Sequence, residues 1–193
     1  MPRAPDTKTR IERAALELFV NQGIMETRTK QIAEAVKISE GTIYRHFESK
    51  DELARELFKR QHASLAEAIK AAAAGHKHID DQARAIVDAY CTMADRDWLL
   101  FRYHQLSQHA LLRYFDPNLP NPVAVVVDVV KAAMARKEIP NDDANVRAAM
   151  ALGVVLQAVT FKAFGRIKGP LSKHRDVFSE AIIAVLHTRT PAH

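Results

Sequence analysis

The sequence of 193 residues has few of the residues that interrupt helices. It contains only 6 Gly, and none of its 8 Pro lies between Pro5 and Pro117. In contrast, 31 residues are Ala, the strongest helix former. This composition argues against a strand-rich fold and predicts an all-α chain. The length allows one or two domains with a substantial apolar core.

Cysteine and long apolar runs are equally scarce. The single cysteine, Cys91, excludes an internal disulfide, and the polar first six residues lack the apolar centre of a signal peptide. The longest apolar stretch, Ala148–Phe161, is interrupted by Gln157 and is shorter than the roughly 20 residues that span a bilayer. We therefore expect a cytoplasmic protein with no membrane partner.

The chemistry of an enzyme is also missing from the sequence. We find no local signature of a nucleophile beside a base, of a carboxylate pair or of a metal-ligand set. His76 and His78 lie in a polar helix break without a neighbouring Cys or paired carboxylate, which favours a solvated loop over a metal site. The sequence thus predicts no catalytic residue, no cofactor and no metal. The net charge of +5 does not by itself indicate nucleic acid.

Apolar periodicity predicts three helices in the first fifty residues. The first begins at residue 6 or 7 and ends just before Gly23, and the second is a helix of two to three turns ending near Val36. A tight turn over residues 37–39 leads to the third helix, from Glu40 to residue 46 or 47. Because that helix is so short, it needs the other two helices to pack against.

A capping-box pattern, Ser49 followed by Glu52, predicts the start of a long helix that ends near Gly75. Breaks rich in Pro and Gly then separate five more helices, for a total of about nine. We expect them at about residues 81–95, 98–114, 123–136, 142–166 and 172–188. The valine-rich start of the third of these five favours a strand by propensity, but Pro122 at a first helical position favours a helix.

Two short helices joined by a tight turn, with a supporting helix before them, form a helix-turn-helix unit whose second helix fits a DNA major groove. If Ile43 and Phe47 face the core, the other side of the third helix presents hydroxyl, imidazole and guanidinium groups that bond phosphates and base edges. The starts of the second helix and of the long helix add cations. The candidate DNA contacts are Arg28, Thr29, Lys30, Glu40, Gly41, Thr42, Tyr44, Arg45, His46 and Lys50.

The segment from Thr7 to Leu53, above all the run ISEGTIYRHFESKDEL at residues 38–53, resembles the DNA-binding domain of the TetR family of bacterial transcriptional regulators. The resemblance implies a helix-turn-helix DNA-binding domain at residues 1–50 and a helical effector-binding and dimerisation domain at residues 51–193. It also implies a homodimeric repressor that binds an inverted-repeat DNA operator and responds to a small-molecule effector.

In that family the positions of Thr42, Tyr44, His46 and Lys50 lie at the operator, largely on phosphates, and the starts of the two short helices read bases. Two positions depart from the family pattern. Lys37 stands where Gly is usual, so a left-handed backbone there would be strained. Arg28 stands where Thr or Ser is usual, which moves the cap of the second helix to Thr27 or Thr29 and makes Arg28 an additional DNA contact.

The family's dimer is a four-helix bundle built from the last two helices of each subunit. Here the predicted dimer interface consists of Val146, Met150, Gly153, Val154, Phe161, Phe178, Ile182, Val185 and Leu186. Aromatic and apolar residues with scattered polar tips suggest a site for a small, mostly apolar effector, although core packing also explains them. The candidate effector-binding residues are Tyr90, Trp98, Phe101, Tyr103, His104, Met134, Gln157 and Phe161.

Two alternatives remain open at this point: a TetR-like activator, and a DNA-binding protein without a small-molecule effector. Release from DNA by a hydrophobic compound, as opposed to release by salt alone, would distinguish an effector-responsive regulator from the second.

Overall fold

The computed structural model describes residues 6–114 and 119–189. Every regular element within these residues is helical, which confirms the all-α fold class. The nine α-helices are α1 (Thr7–Gln22), α2 (Thr29–Val36), α3 (Glu40–Tyr44), α4 (Lys50–Ala74), α5 (Ile79–Arg96), α6 (Trp98–Leu111), α7 (Pro122–Ala135), α8 (Ala144–Ala163) and α9 (Arg175–His187). Short 3-10 helices at Leu112–Tyr114 and Leu171–His174 follow α6 and precede α9.

The chain forms two compact units. Among the described residues, the first contains the chain up to Gln61 together with residues 99–114, and the second contains residues 62–98 and 119–189. The first unit therefore includes α1 to α3, the first half of α4 and nearly all of α6. The predicted division at residue 50 concerns function and stays a prediction.

The core of the first unit is made of the predicted apolar faces of α1 to α4. Ile11, Ile32, Ile43 and Phe58 are all almost completely buried in it. Helix α6 contributes Tyr103, whose ring stacks on that of Phe19 with centroids 5.9 Å apart. The Tyr103 hydroxyl donates to the carbonyl of Ala54 at 2.7 Å, which satisfies the one polar group of this buried side chain.

Helix ends in the first unit follow local signals in the sequence. Asp6 caps α1 by accepting from the amide of Thr9 at 2.7 Å, and Gly23 ends it with a positive φ of 93°. At the start of α4, the Ser49 hydroxyl accepts from the amide of Glu52 at 3.0 Å, as predicted. The Glu52 carboxylate reaches back to the amide of Glu48 rather than that of Ser49. Half of the predicted capping box is therefore present.

In the second unit, α9 packs between α5 and α8, and α7 packs on α8. The Asp95 carboxylate at the end of α5 accepts from the amides of Leu171 and Ser172 at 2.7 and 2.9 Å, which fixes the 3-10 helix before α9. The valine-rich start of α7 is helical, as predicted: the Asn121 side chain accepts from the amide of Val123 at 2.9 Å, and Pro122 is the first helical residue.

Arg147 on α8 forms hydrogen bonds to the C-terminal end of α9. Its side chain is only 5% exposed, and it pairs with the carboxylate of Asp142. The guanidinium donates to the carbonyls of Val185, Leu186 and Thr188 at 3.0, 2.6 and 3.0 Å. They lie at the C-terminus of α9, where carbonyls lack the usual partners four residues on, although that of Val185 also accepts from the amide of Thr188 at 3.3 Å. The buried charge and the end of α9 therefore satisfy each other.

Helix α8 is long and apolar enough to span a bilayer by length and composition, with a mean hydropathy of 1.4 over its most apolar window. Its folded length of 20 residues exceeds the run of apolar residues counted in the sequence, so length alone does not exclude a membrane span. Helices in the cores and interfaces of water-soluble proteins pass the same test. Only 28% of the window is buried within the chain, which leaves an apolar side of α8 uncovered.

Candidate nucleic-acid interface

The turn between α2 and α3 has the left-handed backbone that the sequence predicted to be strained. Lys37 has φ 57° and ψ 51°, and the amide of Ile38 donates to the carbonyl of Ala33 at 3.0 Å. This pattern ends a helix tightly and usually uses Gly. A non-Gly residue in this conformation costs about 1 kcal/mol. The turn sets the angle at which α3 leaves α2.

Helix α3 has one buried side and one exposed side. Ile43 and Phe47 are 1% and 2% exposed, as predicted from their spacing. On the other side, Glu40, Gly41, Tyr44, Arg45 and His46 are exposed and Thr42 is partly exposed. The helix ends at Tyr44, earlier than predicted, and is followed by a turn in which the amides of His46 and Phe47 both donate to the carbonyl of Ile43.

A hydroxyl network runs along the exposed side of α3. The hydroxyls of Ser39 and Thr42 are hydrogen-bonded at 3.0 Å, and Nη2 of Arg45 donates to Oγ1 of Thr42 at 3.1 Å. Ser39 therefore occupies the cap position of α3 without using its side chain as a cap. The network holds the Arg45 guanidinium on the exposed side, where a planar fork of donors suits a phosphate or a guanine edge.

The start of α2 differs from the prediction. The cap residue is Arg28 itself, not Thr27 or Thr29. Its amide donates to the side-chain oxygen of Gln31 at 2.8 Å, so Gln31 reaches back as in a capping box. Thr27 is buried, and its hydroxyl donates to the carbonyl of Gly23 at 2.7 Å. A buried threonine cannot be distinguished from a capping one by sequence spacing alone.

The cations at the start of α2 are accessible. Arg28 is exposed, Thr29 is partly exposed, and the Lys30 side chain is 72% exposed with a loose ion pair to Glu34 at 3.8 Å. Such an exposed pair contributes little to stability and is easily exchanged for a phosphate. The backbone amides in the first turn of a helix also favour an anion.

Lys50 has partners that the sequence did not suggest. Its ammonium donates to the carbonyls of Ile24 at 2.6 Å, Thr27 at 2.8 Å and Met25 at 3.4 Å. These contacts connect the first turn of α4 with the segment between α1 and α2. Chain separations of 23 to 26 residues explain why local sequence patterns do not reveal them.

The start of α1 lies beside the end of α3. The pKa of Asp6 is lowered, mainly by hydrogen bonds from Thr9 and also by the charge of His46. Nζ of Lys8 lies 5.0 Å from the centroid of the Phe47 ring and 3.6 Å from a carboxylate oxygen of Glu56. Sequence reasoning did not connect Asp6 or Lys8 with α3, because nothing in the spacing brings their helices together.

The predicted effector-binding residues are divided between the two units. Phe101, Tyr103 and His104 are buried in the first unit, where the His104 ring stacks on that of Phe58 with centroids 4.7 Å apart. The other five belong to the second unit. Tyr90 and Met134 are buried, Trp98 is partly exposed, and Gln157 and Phe161 are exposed. Neither unit brings all eight together, and their role in effector binding stays a prediction.

Two further features of the second unit concern chemistry. Cys91 is buried, and burial raises the pKa of its thiol to about 11, so the thiol stays protonated and packs as a small apolar side chain. Among the described residues, no cluster of three or more His, Cys, Asp or Glu side chains could hold a metal ion.

A groove of about 430 Å³ lies where α8 begins and α9 ends. Its accessible lining is mainly apolar, although charged residues from both helix ends contribute to it, and none of its residues is a predicted effector contact. The lining residues are Asp142, Asp143, Val146, Arg147, Met150, Thr188 and Arg189. Val146 and Met150 also belong to the predicted dimer interface.

The predicted dimer interface is exposed on α8 and partly buried on α9. On α8, Val146, Met150 and Phe161 are 57%, 50% and 47% exposed, Gly153 is exposed and Val154 is partly exposed. We call this side of α8 the apolar stripe. On α9, Ile182 and Leu186 are buried within the unit, which corrects their placement on an outer surface. Phe178 and Val185 are partly exposed, and the fully exposed side of α9 carries Val177, Ala181 and Ala184.

Comparison with known proteins gives matches of two kinds. A family model described as bacterial regulatory proteins, tetR family, matches residues 11–57. The transcriptional regulator TcmR of Streptomyces glaucescens is 50% identical over 48 residues, which are 25% of this chain and 21% of TcmR. The chain spans less than half the length of the curated relatives that it matches. Those relatives are described as HTH-type transcriptional regulators.

Solved structures match over nearly the whole chain. The fatty acid degradation regulator FadR of Bacillus halodurans has a TM-score of 0.78 at 17% identity, with 95% of this chain and 96% of that one covered. FadR of Bacillus subtilis, solved in complex with stearoyl-CoA, has a TM-score of 0.72 at 18% identity, covering 93% of this chain and 99% of that one. At such identities the likeness extends the shared fold beyond residues 11–57.

Proposed function

Because residues 11–57 match the family model of bacterial regulatory proteins, tetR family, we propose that the chain belongs to this family and is a cytoplasmic, homodimeric repressor that leaves its operator when a small, mostly apolar effector binds. The operator is an inverted repeat of double-stranded DNA. Residues 1–50 bind the DNA, and residues 51–193 bind the effector and form the dimer.

The observation that carries this proposal is the two-sided structure of α3. Ile43 and Phe47 fix the helix to the core, and Thr42, Tyr44, Arg45 and His46 on its other side are available to a groove. A helix of only five residues is unstable alone, so its orientation depends on these two anchors. Arg28, Thr29 and Lys30 add phosphate or base contacts from the start of α2, and Glu40 and Gly41 lie at the start of α3.

The apolar stripe supports the homodimer. Large apolar side chains that are half exposed along one side of a helix are typical of a surface that a partner covers. Gly153 lies among them, and a Cβ at this position would meet no atom within 4 Å. Gly weakens a helix by about 1 kcal/mol relative to Ala, and packing within the chain does not require Gly at this position. The close approach of a partner helix would require a residue without a side chain here.

Dimerisation has a geometric function in this proposal. Two recognition helices bind successive major-groove faces of B-DNA when their centres are about 34–36 Å apart. An effector that favours a different separation weakens operator binding. Tenfold release requires about 1.4 kcal/mol of difference between the effector's affinities for the free and the operator-bound protein.

The apolar nature of the effector is supported by the fold relative that holds stearoyl-CoA, a ligand with a long acyl chain. The apolar residues Tyr90, Trp98 and Met134 of the second unit would contact such a chain. A regulator of transcription must respond to a signal, here the binding of an effector, whereas a purely structural DNA-binding protein need not.

The test begins with selection of binding sites from random duplex DNA by the purified full-length protein. We expect enrichment of an inverted repeat, and one dimer bound per site by analytical ultracentrifugation. A monomer with no preference for any palindrome over random duplex would contradict the proposal.

With the selected operator, stearoyl-CoA and shorter acyl-CoAs can be titrated into the complex and followed by fluorescence anisotropy. We expect at least one compound with a long apolar chain to release the DNA at constant salt. Release by salt alone, across the whole acyl series, would leave DNA binding intact and contradict the acyl-chain effector.

A further inference from the structure

We propose that Glu40 selects a cytosine in each half-site of the operator, because its carboxylate accepts a hydrogen bond from the cytosine amino group in the major groove. This inference rests on the proposed function, since it requires α3 to lie in that groove. It adds the identity of one base and the side chain that reads it. The residues involved all belong to the first unit.

Glu40 lies on the exposed side of α3. It is the first residue of this helix, and it is exposed to solvent. Side chains four positions apart share one side of a helix, which places Glu40 beside Tyr44, a residue that is 53% exposed. By contrast, the anchor Ile43 is only 1% exposed. The carboxylate therefore belongs to the surface that faces the DNA in the proposed complex.

The Glu40 carboxylate has no protein partner within the part of the chain that the structure describes. None of the hydrogen bonds or ion pairs there involves it. The nearby guanidinium of Arg45 donates to the Thr42 hydroxyl at 3.1 Å instead. The carboxylate of Glu12, by comparison, pairs with Arg60 at 2.7 Å. Glu40 is therefore available to bond a group outside the chain.

An unpaired carboxylate on a DNA-binding surface is electrostatically unfavourable, because the phosphates of DNA are also negative. The alternative role for Glu40 is to stabilise the short helix α3, since an acidic residue in the first turn interacts favourably with the helix dipole. In that role Glu40 would be equally unfavourable next to every DNA sequence. A hydrogen bond to one kind of base would offset the repulsion at that base alone.

The major-groove edges of the bases determine which base a carboxylate can select. An ionised carboxylate only accepts hydrogen bonds. Cytosine presents an amino donor in the major groove, whereas guanine presents two acceptors and thymine presents an acceptor and a methyl group. Adenine also has an amino donor, but an acceptor nitrogen lies beside it. The carboxylate of Glu40 therefore fits cytosine best and disfavours guanine and thymine.

Site selection from random duplex DNA with the original protein and with Glu40→Gln tests this assignment. We expect the original protein to select cytosine at one position of each half-site. An amide both donates and accepts, so it pairs with the amino group and ring nitrogen of adenine. We expect Glu40→Gln to change the preference at this position from cytosine to adenine. If the original protein selects a base other than cytosine at the position that changes, the inference is wrong.

Glu40→Ala separates base selection from charge. In fluorescence anisotropy, the original protein should distinguish operators with cytosine from operators with thymine at this position by about tenfold or more. Glu40→Ala should bind both within about threefold, because no group remains to bond the cytosine. Its affinity for random duplex should rise about two- to fivefold, because the repulsion is removed. An equal change in affinity for every sequence would indicate the helix-stabilising role and overturn the inference.

Glu17→Gln is the matched control. Glu17 is an exposed residue of α1 in the same unit and lies outside the candidate DNA contacts. Its replacement removes one negative charge by the same chemical change and should leave the base preference unchanged at every position. Circular dichroism establishes that each variant is folded. A protein that selects no inverted repeat would contradict the proposed function together with this inference. An inverted repeat with the same base preferences in Glu40→Gln and Glu40→Ala would contradict the inference alone.

Discussion

The exposed side of α3 and the apolar stripe of α8 are both surfaces that their own units leave uncovered, but they differ in chemistry. The α3 surface carries hydroxyl, imidazole and guanidinium groups around Tyr44, which is 53% exposed. The apolar stripe carries Val146, Met150 and Phe161, with an exposed glycine between them. Polar and charged groups are stable in contact with water, and their binding to a charged partner such as DNA depends on the salt concentration. Exposed apolar groups are unfavourable in water, so their burial by a partner lowers the free energy. The comparison therefore agrees with the proposed DNA partner at α3, whose binding would depend on salt, and with the proposed second subunit at the apolar stripe of α8.

The largest expected effect comes from removing the support beneath the α3 surface. Replacement of the buried Ile43 by Ala leaves a cavity in the core of the first unit and should cost about 2–4 kcal/mol in the free energy of unfolding. Chemical denaturation measures it. Glu40→Ala, an exposed change in the same helix, should stay within about 0.5 kcal/mol. Similar values for both variants would show that α3 is not anchored as described.

The apolar stripe is tested by placing a charge in it. Met150→Glu should raise the dissociation constant of the dimer about tenfold or more, because a carboxylate would lose its hydration beneath the partner, and Arg147 and Arg189, which line the same groove, would offset only part of that cost. Sedimentation velocity at several protein concentrations gives this constant. Asn145→Glu, exposed on another side of α8, is the control and should leave the dimer intact. An unaffected dimer in Met150→Glu would place the interface elsewhere.

Substitution of Arg45 tests the DNA-binding role of the α3 surface directly. Its guanidinium is held by Thr42, so Arg45→Ala should weaken operator binding by about 1–3 kcal/mol without a change in unfolding free energy. Thr42→Val, which removes the hydroxyl that orients the guanidinium, should have a smaller effect in the same direction. Site selection with Arg45→Ala should lose preference at one base pair of each half-site. Uniform loss over all sequences would indicate a phosphate contact.

A smaller effect is expected at two positions, one in each unit, where a non-glycine residue has a left-handed backbone. Lys37 in the first unit and Lys137 in the second have φ of 57° and 61°, both in the left-handed region. Replacement by Gly relieves strain of about 1 kcal/mol but increases the entropy of the unfolded chain. We expect each variant to be stabilised by up to about 1 kcal/mol in denaturant titrations. Destabilisation of Lys37→Gly alone would mean that its side chain supports the turn before α3.

The smallest effect is a pH dependence in the second unit. His62 is 3% exposed, and burial lowers its pKa below the ordinary value of 6.5. The unfolded chain then binds a proton that the folded chain does not, so stability is lost as the pH falls below about 6.5. The midpoint of thermal unfolding should fall less between pH 7.5 and 5.5 in His62→Gln than in the original protein. His109→Gln, an exposed control, should behave like the original.

The features that depend on residues close together in the sequence could be predicted. Capping at Asp6, the inward side of α3 and the helical start of α7 all depend on neighbours within a few residues, whereas the left-handed Lys37 was implied by the family resemblance. Propensity, spacing and the chemistry of turns act at that range, so the sequence shows them directly.

The long-range part could not be predicted. Nothing near Tyr103 or His104 indicates that α6 packs into the first unit, and their aromatic character suited a pocket as well as a core. Lys50 bonds carbonyls 23 to 26 residues away, and Asp95 caps a 3-10 helix 76 residues away. Ile182 and Leu186 matched an interface pattern but face inward. Periodicity identifies an apolar side of a helix without indicating what covers it.

The hydrogen bonds from Arg147 to the last carbonyls of α9 have a practical consequence for work on shortened chains. Removing the residues after Leu186 would take away the carbonyl of Thr188 and leave the final turn of α9 to fray, since part of what closes it is a side chain from α8. The guanidinium would then be nearly buried with fewer acceptors, a costly arrangement. Trimming here to aid crystallisation would loosen the helix pair that carries the apolar stripe.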